Sequence, residues 1–284
     1  MFPPLAKVSG LQQQTIKMKL EHRMKQYEYV TRTYLPNRLP VIIRIDGKAF
    51  HTFSKGFKKP FDGFLSCAMT STTKKLVENV EGCVFGYTQS DEISLLLKND
   101  QTNETSPWFD NNLSKLISLS ASMATLYFND SFRKTIEDWI ANEGVPYKDA
   151  TRYWTAIDKG ALFDSRAFVL PNVEEVVNYF LYRQQDCTKN SIQSVAQANF
   201  SHKEIQGLNC DQLQEKLFQE RGINWGEDTP TKYKRGIGVY KSRVEVETPN
   251  GKAIRTKSII DKELPIFSQD REFIKNIYLT GVKE

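Results

Sequence analysis

The chain has 284 residues, of which 39% are hydrophobic and 12% aromatic, enough apolar material for one large domain or two moderate ones. Its net charge of +5 permits a nucleic-acid partner without requiring one, because an RNA-binding surface needs basic residues that cluster locally. Three histidines, and four cysteines with no CxxC pair among them, argue against a histidine- or cysteine-ligated metal site. No apolar run approaches the length of a membrane span.

The N-terminal residues 1–17 are predicted to form a flexible arm. The first 20 residues contain three lysines but no acid and no arginine, whereas a transit peptide is rich in arginine. Mitochondrial targeting is therefore the weaker alternative, and the cytoplasm, where the cysteines stay reduced, is the expected compartment.

The elements after the arm alternate in a regular order. Apolar periodicity predicts an amphipathic helix, a buried strand, a helix, two strands joined by a polar turn, a helix and a strand (21–33, 41–46, 61–80, 83–87, 93–97, 113–127 and 161–170). Because the order from the first strand is β-α-β-β-α-β, the predicted fold is α+β, with a ferredoxin-like antiparallel sheet and helices. Helices at 173–185 and 189–203 and a hairpin are predicted to follow as a C-terminal extension.

Two acids lie at the ends of elements that this topology makes neighbours. The strand VIIRID (41–46) ends in Asp46, and Asp91 lies in the polar turn at 88–91. Two close carboxylates repel each other unless a cation lies between them. Carboxylate oxygens suit Mg²⁺, and two such ions can clamp the oxygens of a phosphoryl transfer. An ordinary strand end and an ordinary hairpin turn would explain either acid alone.

Gly47 follows the first acid directly. Without a side chain, its backbone could approach a metal ion and phosphates closely. The amides of Lys48, Ala49, Phe50 and His51 come next and could cradle a triphosphate.

Five stretches resemble motifs of the tRNAHis guanylyltransferase family, and the resemblance covers roughly residues 18–240. They are RIDGKAFHTF (44–53), KPFD (59–62), GYTQSDEISLLL (86–97), FDSRAFVLP (163–171) and YRQQDCTKNSI (182–192). The resemblance implies a polymerase-palm-type catalytic domain at 18–170. It also implies that the C-terminal helices and basic hairpin, at 171–284, pack on the palm and contact tRNA.

The same resemblance implies a reaction at the 5′ end of tRNA. ATP would adenylylate the 5′-monophosphate, and the 3′-hydroxyl of an incoming nucleoside triphosphate such as GTP would then attack it, releasing AMP. The implied cofactors are two Mg²⁺ ions. The implied partners are tRNA, nucleoside triphosphates and further copies of the chain in a homotetramer, a dimer of dimers.

Site residues follow from the matched motifs. Asp46, Asp91 and Glu92 would be catalytic, with Asp46, Asp91 and the Gly47 carbonyl as metal ligands. Nucleotide binding would fall to the run Asp46, Gly47, Lys48, Ala49, Phe50 and His51, together with Lys59, Ser90 and Asp91. An ordinary surface lysine is an equal alternative for Lys59, and a structural role at the strand start is an equal alternative for Glu92.

Contacts with tRNA or its phosphates are expected from Arg183, Lys189 and Asn190 in the YRQQDCTKNSI segment, where Phe180 and Tyr182 are expected in the core. The segment 232–260 predicts a hairpin around a Pro-Asn-Gly turn and carries eight basic residues, Lys234 and Arg235 among them. Phosphate contact with tRNA and a solvated, charged sheet edge are equal interpretations of this ribbon.

One segment departs from the family pattern. Eukaryotic members that add an extra G to tRNAHis carry His-Ile-Asn-Asn after the Arg-Gln-x-Asp-Cys stretch, whereas this chain has Thr188-Lys189-Asn190-Ser191. The departure is similar to the guanylyltransferase-like branch, whose members resemble repair polymerases that restore truncated 5′ ends against a template. Templated repair is therefore favoured over strict addition of one G. A palm-fold nucleotidyl cyclase and a non-catalytic tRNA-binding module are the remaining alternatives.

Overall fold

The computed structural model describes residues 19–144, 146–248 and 251–283. The predicted arm at 1–17 lies outside them. The chain divides by internal contacts at Thr33. Before that point lies the helix α1 (Leu20–Tyr29), which has no buried residue and is shorter than the predicted helix at 21–33.

From Tyr34 onward the described residues form one compact unit. Its strands are β1 (Val41–Gly47), β2 (Cys83–Gln89), β3 (Glu92–Leu97), β4 (Phe163–Val169), β5 (Ile237–Thr248) and β6 (Gly251–Asp261). Its α-helices are α2 (Phe50–Phe53), α3 (Gly63–Asn79), α4 (Leu113–Glu143), α5 (Thr151–Lys159), α6 (Val173–Asn199), α7 (His202–Ile205), α8 (Cys210–Arg221), α9 (Trp225–Asp228), α10 (Thr231–Arg235) and α11 (Glu272–Thr280). Two short 3₁₀ segments lie at Trp108–Asn111 and Tyr147–Ala150.

The strands form one antiparallel sheet in the order β4-β1-β3-β2-β5-β6. The predicted α+β class is confirmed, and all four strands predicted before residue 170 are present. The C-terminal hairpin is more closely integrated than a separate extension would be, because β5 is hydrogen-bonded along β2.

Both faces of the sheet centre are covered, which explains the almost unbroken apolar run of β1. One core includes Ile43 and Ile45 together with residues of α3 and α4. The other core includes Ile42 from the opposite face, together with residues of α6 and α11. Side chains of a strand alternate between faces, so a strand buried on both sides needs apolar residues at successive positions.

Three further helix predictions were wrong in extent. The helices expected at 173–185 and 189–203 are one continuous helix, α6, because the intervening Asp186, Cys187 and Thr188 include no breaker and Cys187 is buried against the core side. The helix expected at 113–127 continues as α4 to Glu143 and ends at Gly144, which has a positive φ. Among the described residues, no helix combines the length and apolarity needed to cross a membrane.

Candidate active site

The sheet places the two predicted acids side by side. Asp46 pairs in register with Glu92, the first residue of β3, and Asp91 occupies the two-residue turn just before it. The backbone N–H of Gly47 donates to the Asp91 carbonyl oxygen across 3.1 Å, which ties the end of β1 to this turn. Ser90 has a positive φ of 51°, as a tight hairpin turn between β2 and β3 requires.

Electrostatics at this turn favour a bound cation. Burial raises the pKa of the Asp91 carboxyl, a hydrogen bond from the Ser90 hydroxyl (3.0 Å) lowers it, and the negative charge of Asp46 raises it. The charge of Asp46 therefore disfavours the charged form of Asp91 when no cation is near.

The donor set fits Mg²⁺ better than a metal that needs a protein cage. Within the parts of the chain that the structure describes, no group of three acid, histidine or cysteine side chains could hold a metal ion. Two carboxylates and a nearby backbone carbonyl leave coordination positions that Mg²⁺ fills with water and substrate phosphates.

The glycine after Asp46 has a packing role that its sequence position did not reveal. A Cβ built on Gly47 would lie 2.1 Å from Cδ2 of Phe50. Phe50 is 5% exposed and packs among Phe53, Phe128 and Phe163, so its side chain belongs to the core.

The backbone after Gly47 is only partly available to a phosphate. The Lys48 amide donates to the Leu162 carbonyl oxygen at 2.8 Å, so this predicted phosphate donor already has a partner. Ala49 has a left-handed φ of 52° and precedes the short helix α2. The amides of Ala49, Phe50 and His51 lie at the start of this helix, where N–H groups have no intrahelical partner.

Glu92 lies beside Asp46 on the neighbouring strand, but it is buried and paired with arginines. It is 5% exposed, and its Oε2 accepts hydrogen bonds from Arg44 (2.6 Å) and Arg183 (2.8 Å). Burial raises the pKa of Glu92, and the guanidinium groups of Arg183 and Arg44 lower it. Arg44 also approaches Asp46 at 3.5 Å, so this ion network positions the first acid.

Arg183 requires a correction. It was expected to contact tRNA, yet it is 1% exposed and its guanidinium is engaged by Glu92 and by Asp186 at 3.6 Å. Tyr182, expected in the core, is 55% exposed, whereas Phe180 is buried as expected. The side of α6 that carries Tyr182 therefore faces solvent, and the side that carries Arg183 faces the core, which is the reverse of the prediction.

The other expected tRNA residues lie nearer the surface. Lys189 and Asn190 are exposed on α6, six and seven residues after Arg183. Lys234 and Arg235 are half-buried at the end of α10, where the Lys234 ammonium donates to the Gly226 carbonyl and Arg235 donates to the Leu264 carbonyl at 3.0 Å. Arg235 and Lys234 thus have structural hydrogen bonds as well as charge.

Lys59 is exposed on a loop that Asp62 fixes in place. The Asp62 carboxylate caps α3 by accepting from the Phe64 and Leu65 amides at 3.0 Å each. Its second oxygen accepts from the Lys58 amide (3.1 Å) and the Tyr153 hydroxyl (2.8 Å).

A cavity of about 150 Å³ opens between this loop, the hairpin turn and α6. Ser90 and Asn190 contribute polar groups to its lining. Phe61 and Tyr233 also line it and stack with ring centroids 4.2 Å apart and planes at 5°. Sequence analysis missed this aromatic pair because its members are 172 positions apart (233 − 61).

A third acid in the same row of the sheet was also missed. Asp164 pairs in register with Asp46 across β1 and β4, and Arg166 pairs with Arg44 two residues further along. The alternation of side chains along FDSRAFV puts Asp164 and Arg166 on one face of β4. The sequence does not reveal how β4 is aligned with β1, so the pairing of Asp164 with Asp46 was not predicted.

The protein is a nucleotidyltransferase. Its antiparallel sheet, the acids at adjoining strand ends and the adjacent cavity agree with this class. The chain belongs to the tRNAHis guanylyltransferase (Thg1) family, whose model matches residues 21–171. Members of this family are nucleotidyltransferases that act on tRNA.

Solved structures and curated relatives agree with this assignment. A bacterial tRNAHis guanylyltransferase (Thg1)-like protein in complex with ATP is 44% identical, with a TM-score of 0.76 over 92% of this chain and 99% of its own. A bacterial protein of the same description in complex with GTP is 42% identical, with a TM-score of 0.73 over 91% and 98%. The tRNAHis guanylyltransferase of Candida glabrata is 28% identical over 74% of this chain and 88% of the yeast protein.

Proposed function

We propose that the protein adds nucleotides in the 3′-to-5′ direction to the 5′ end of truncated tRNA, copying the opposite strand. The tRNA 5′-phosphate attacks the α-phosphorus of ATP and pyrophosphate leaves, which gives an adenylylated 5′ end. The 3′-hydroxyl of an incoming nucleoside triphosphate then displaces AMP. The observation that supports nucleotidyl transfer is that Asp46, at the end of β1, lies next to Asp91, in the turn of the β2–β3 hairpin.

The proposed fold assignment is a ferredoxin-like polymerase palm. Its support is the spatial order β4-β1-β3-β2 of the strands that alternate with α3 and α4.

We further infer that residues 18–170 supply catalysis and residues 171–284 contact tRNA. A homotetramer and a cytoplasmic location stay predictions.

Each charged group at the site has a role in this proposal. Asp46, Asp91 and the Gly47 carbonyl would hold two Mg²⁺ ions, and the chemistry that these ions would supply is neutralisation of phosphate charge. Arg44, itself held by Glu92, keeps Asp46 in position. The first-turn amides of α2 and the Lys59 ammonium bind triphosphate oxygens of the activating nucleotide.

The cavity beside Ser90 is the proposed place for the base of that nucleotide. Its aromatic pair, Phe61 and Tyr233, gives an apolar wall, and Asn190 gives both a donor and an acceptor. The complexes of the bacterial relatives with ATP and with GTP support nucleotide binding by this chain.

Templated repair is preferred to strict addition of one G because of Thr188. Its hydroxyl donates to the Lys234 carbonyl at 2.9 Å, so it links α6 to α10 where the G-adding members carry histidine. The strict tRNAHis reaction is the second candidate, favoured by the names of the curated relatives.

An extension assay tests the proposal. The full chain is given a tRNA that lacks its first nucleotide and is labelled at the 5′-phosphate, with ATP, Mg²⁺ and all four nucleoside triphosphates. Extension by the base complementary to the opposite strand is expected. Addition of G whatever the opposite base would support the strict reaction, and binding without extension would overturn the enzymatic proposal.

Two variants tie the activity to the acid pair. Asp46→Asn and Asp91→Asn should each abolish extension while leaving the fold intact, because each removes one negative charge at an almost unchanged shape. Asp158→Asn, on the exposed side of α5, is the matched control and should extend normally. Full activity in either site variant would exclude the two-metal assignment.

A further inference from the structure

The side of α6 that faces β4 carries an exposed aromatic ring. Tyr179 lies on this side, because its ring centroid is 5.7 Å from that of Phe168 on β4 and its hydroxyl is hydrogen-bonded to the Ser94 hydroxyl at 2.8 Å. Residues three positions apart lie on the same side of a helix. Tyr182 is therefore on this side too, and it is 55% exposed.

Tyr182 is also close to the acid pair. The guanidinium carbon of Arg183 lies 3.9 Å from the centroid of the Tyr182 ring, and Arg183 donates to the Glu92 carboxylate at 2.8 Å. The same carboxylate accepts from Arg44 at 2.6 Å, and Arg44 approaches the Asp46 carboxylate at 3.5 Å. A continuous chain of contacts, each shorter than 4 Å, thus joins the exposed ring to the first acid.

Beside this ring, the face of the sheet is open. Asp164 of β4 pairs in register with Asp46 of β1, and two residues along the strand Arg166 pairs with Arg44. Paired side chains project from the same face, which is the face on which Ile42 packs against residues of α6. At this end of the face Asp164 and Arg166 are exposed, and their partners on β1 are half-buried. The sheet therefore offers an open, charged shelf next to Tyr182.

The ring is already fixed in a position where a flat ligand can stack on it. Arg183 is 1% exposed and covers one side of the Tyr182 ring, so the ring loses little freedom when a ligand binds. Any of the four nucleobases can stack on such a ring, because every base has a π-face. The arginines of the shelf favour the phosphates that a nucleotide carries.

The proposed reaction leaves one side of a base without a neighbour. In templated addition the incoming base pairs with the opposite strand and stacks inward on the last base pair of the tRNA, so its outward side is free. We propose that Tyr182 stacks on this outward side and holds the base of the incoming nucleoside triphosphate while its 3′-hydroxyl attacks the activated phosphate at the acid pair. This inference rests on the proposed function, and it gives the incoming nucleotide a position separate from the cavity beside Ser90.

Extension of a truncated tRNA that has been adenylylated beforehand tests this position, because it isolates the addition step. The rate is measured against the concentration of each nucleoside triphosphate, on tRNAs that present each of the four template bases. Tyr182→Ala should raise the KM for all four about fivefold or more, as expected for the loss of one stacked base, and leave the Kd for tRNA unchanged. Tyr182→Leu should do the same, because it keeps an apolar side chain beside Arg183 without a flat ring. Tyr182→Phe should keep the normal KM.

Controls separate stacking on the base from a merely structural ring. Phe218→Ala removes a ring with the same exposure, 55%, from α8 and should leave KM and Kd unchanged. Thermal unfolding midpoints check that each variant is folded.

The outcomes separate this inference from the proposed function. A normal KM in Tyr182→Ala, or a KM that Phe218→Ala raises equally, would overturn the inference and leave the proposed function standing. A weaker Kd for tRNA with a normal KM would place a base of the RNA on the ring and likewise overturn it. If the unmodified chain does not extend the adenylylated tRNA, the proposed function fails and this inference fails with it.

Discussion

At the scale of single residues, the site depends on packing and ion pairs behind the acid pair. Gly47 has no Cβ, which leaves room for the Phe50 ring in the aromatic core beneath the proposed phosphate-binding backbone. Arg44 and Arg183 both bond to Glu92 and so fix the strand end that carries Asp46.

Gly47→Ala should therefore abolish nucleotide addition. The new methyl group would lie 2.1 Å from the Phe50 ring, which must move together with the start of α2. Gly63→Ala is the matched control, because a Cβ there meets nothing within 4 Å. Steady-state extension rates and thermal unfolding midpoints measure both effects, and normal extension by the Gly47→Ala chain would contradict this packing role.

Arg183→Ala should destabilise the fold by about 1–3 kcal/mol, because it removes one of the two guanidinium partners of the buried Glu92 carboxylate and leaves Arg44 as the other. Lys189→Ala, an exposed change on the same helix, should leave stability within about 0.5 kcal/mol and weaken tRNA binding. Denaturant unfolding and filter binding of tRNA separate the two outcomes. Unchanged stability with lost tRNA binding in Arg183→Ala would restore the direct-contact interpretation.

At the scale of elements, one carboxylate joins three segments near the site. Asp62 begins α3, fixes the loop that carries Lys59, and accepts a hydrogen bond from Tyr153 on α5. The helix start is thus also the support of a predicted nucleotide-binding loop.

Asp62→Ala should cost about 2 kcal/mol or more, since it removes the helix cap and leaves a buried tyrosine hydroxyl unpaired. Because the loop loses its anchor, the KM for ATP should rise more than kcat falls. Asn209→Ala removes the cap of α8, far along the chain, and should cost about 1 kcal/mol with unchanged KM. If the KM of the Asp62→Ala chain for ATP equals that of the unchanged protein, other contacts hold the loop that carries Lys59.

At the scale of the whole molecule, local pattern predicted the sheet better than the helices. Strands β1 to β4 follow from short apolar runs with turn residues between them, and the approach of Asp46 to Asp91 follows from their order. The continuity of α6 and the burial of Arg183 were not predictable in this way. Both depend on contacts such as Arg183 with Glu92, which are 91 positions apart and form only in the folded sheet.

Burial in the core also predicts how three of the four cysteines respond to an alkylating reagent in the native chain. Cys67 is exposed, whereas Cys83 and Cys187 lie in the core, and burial raises the pKa of each of these two thiols to about 12. At pH 8 a thiol with that pKa is on the order of 0.01% thiolate, the reactive form. Iodoacetamide should therefore label the exposed Cys67 much faster than Cys83 or Cys187, which are both buried and almost entirely in the thiol form.

Mass spectrometry of labelled peptides over time measures these rates. Labelling of Cys83 and Cys187 should follow opening of the sheet, so both rates should rise together with denaturant. In full denaturant all four cysteines should react alike, which is the control for intrinsic reactivity. If Cys187 reacts quickly in the native chain while Cys83 does not, α6 opens separately from the sheet, and the single unit from Tyr34 onward divides in solution at that helix.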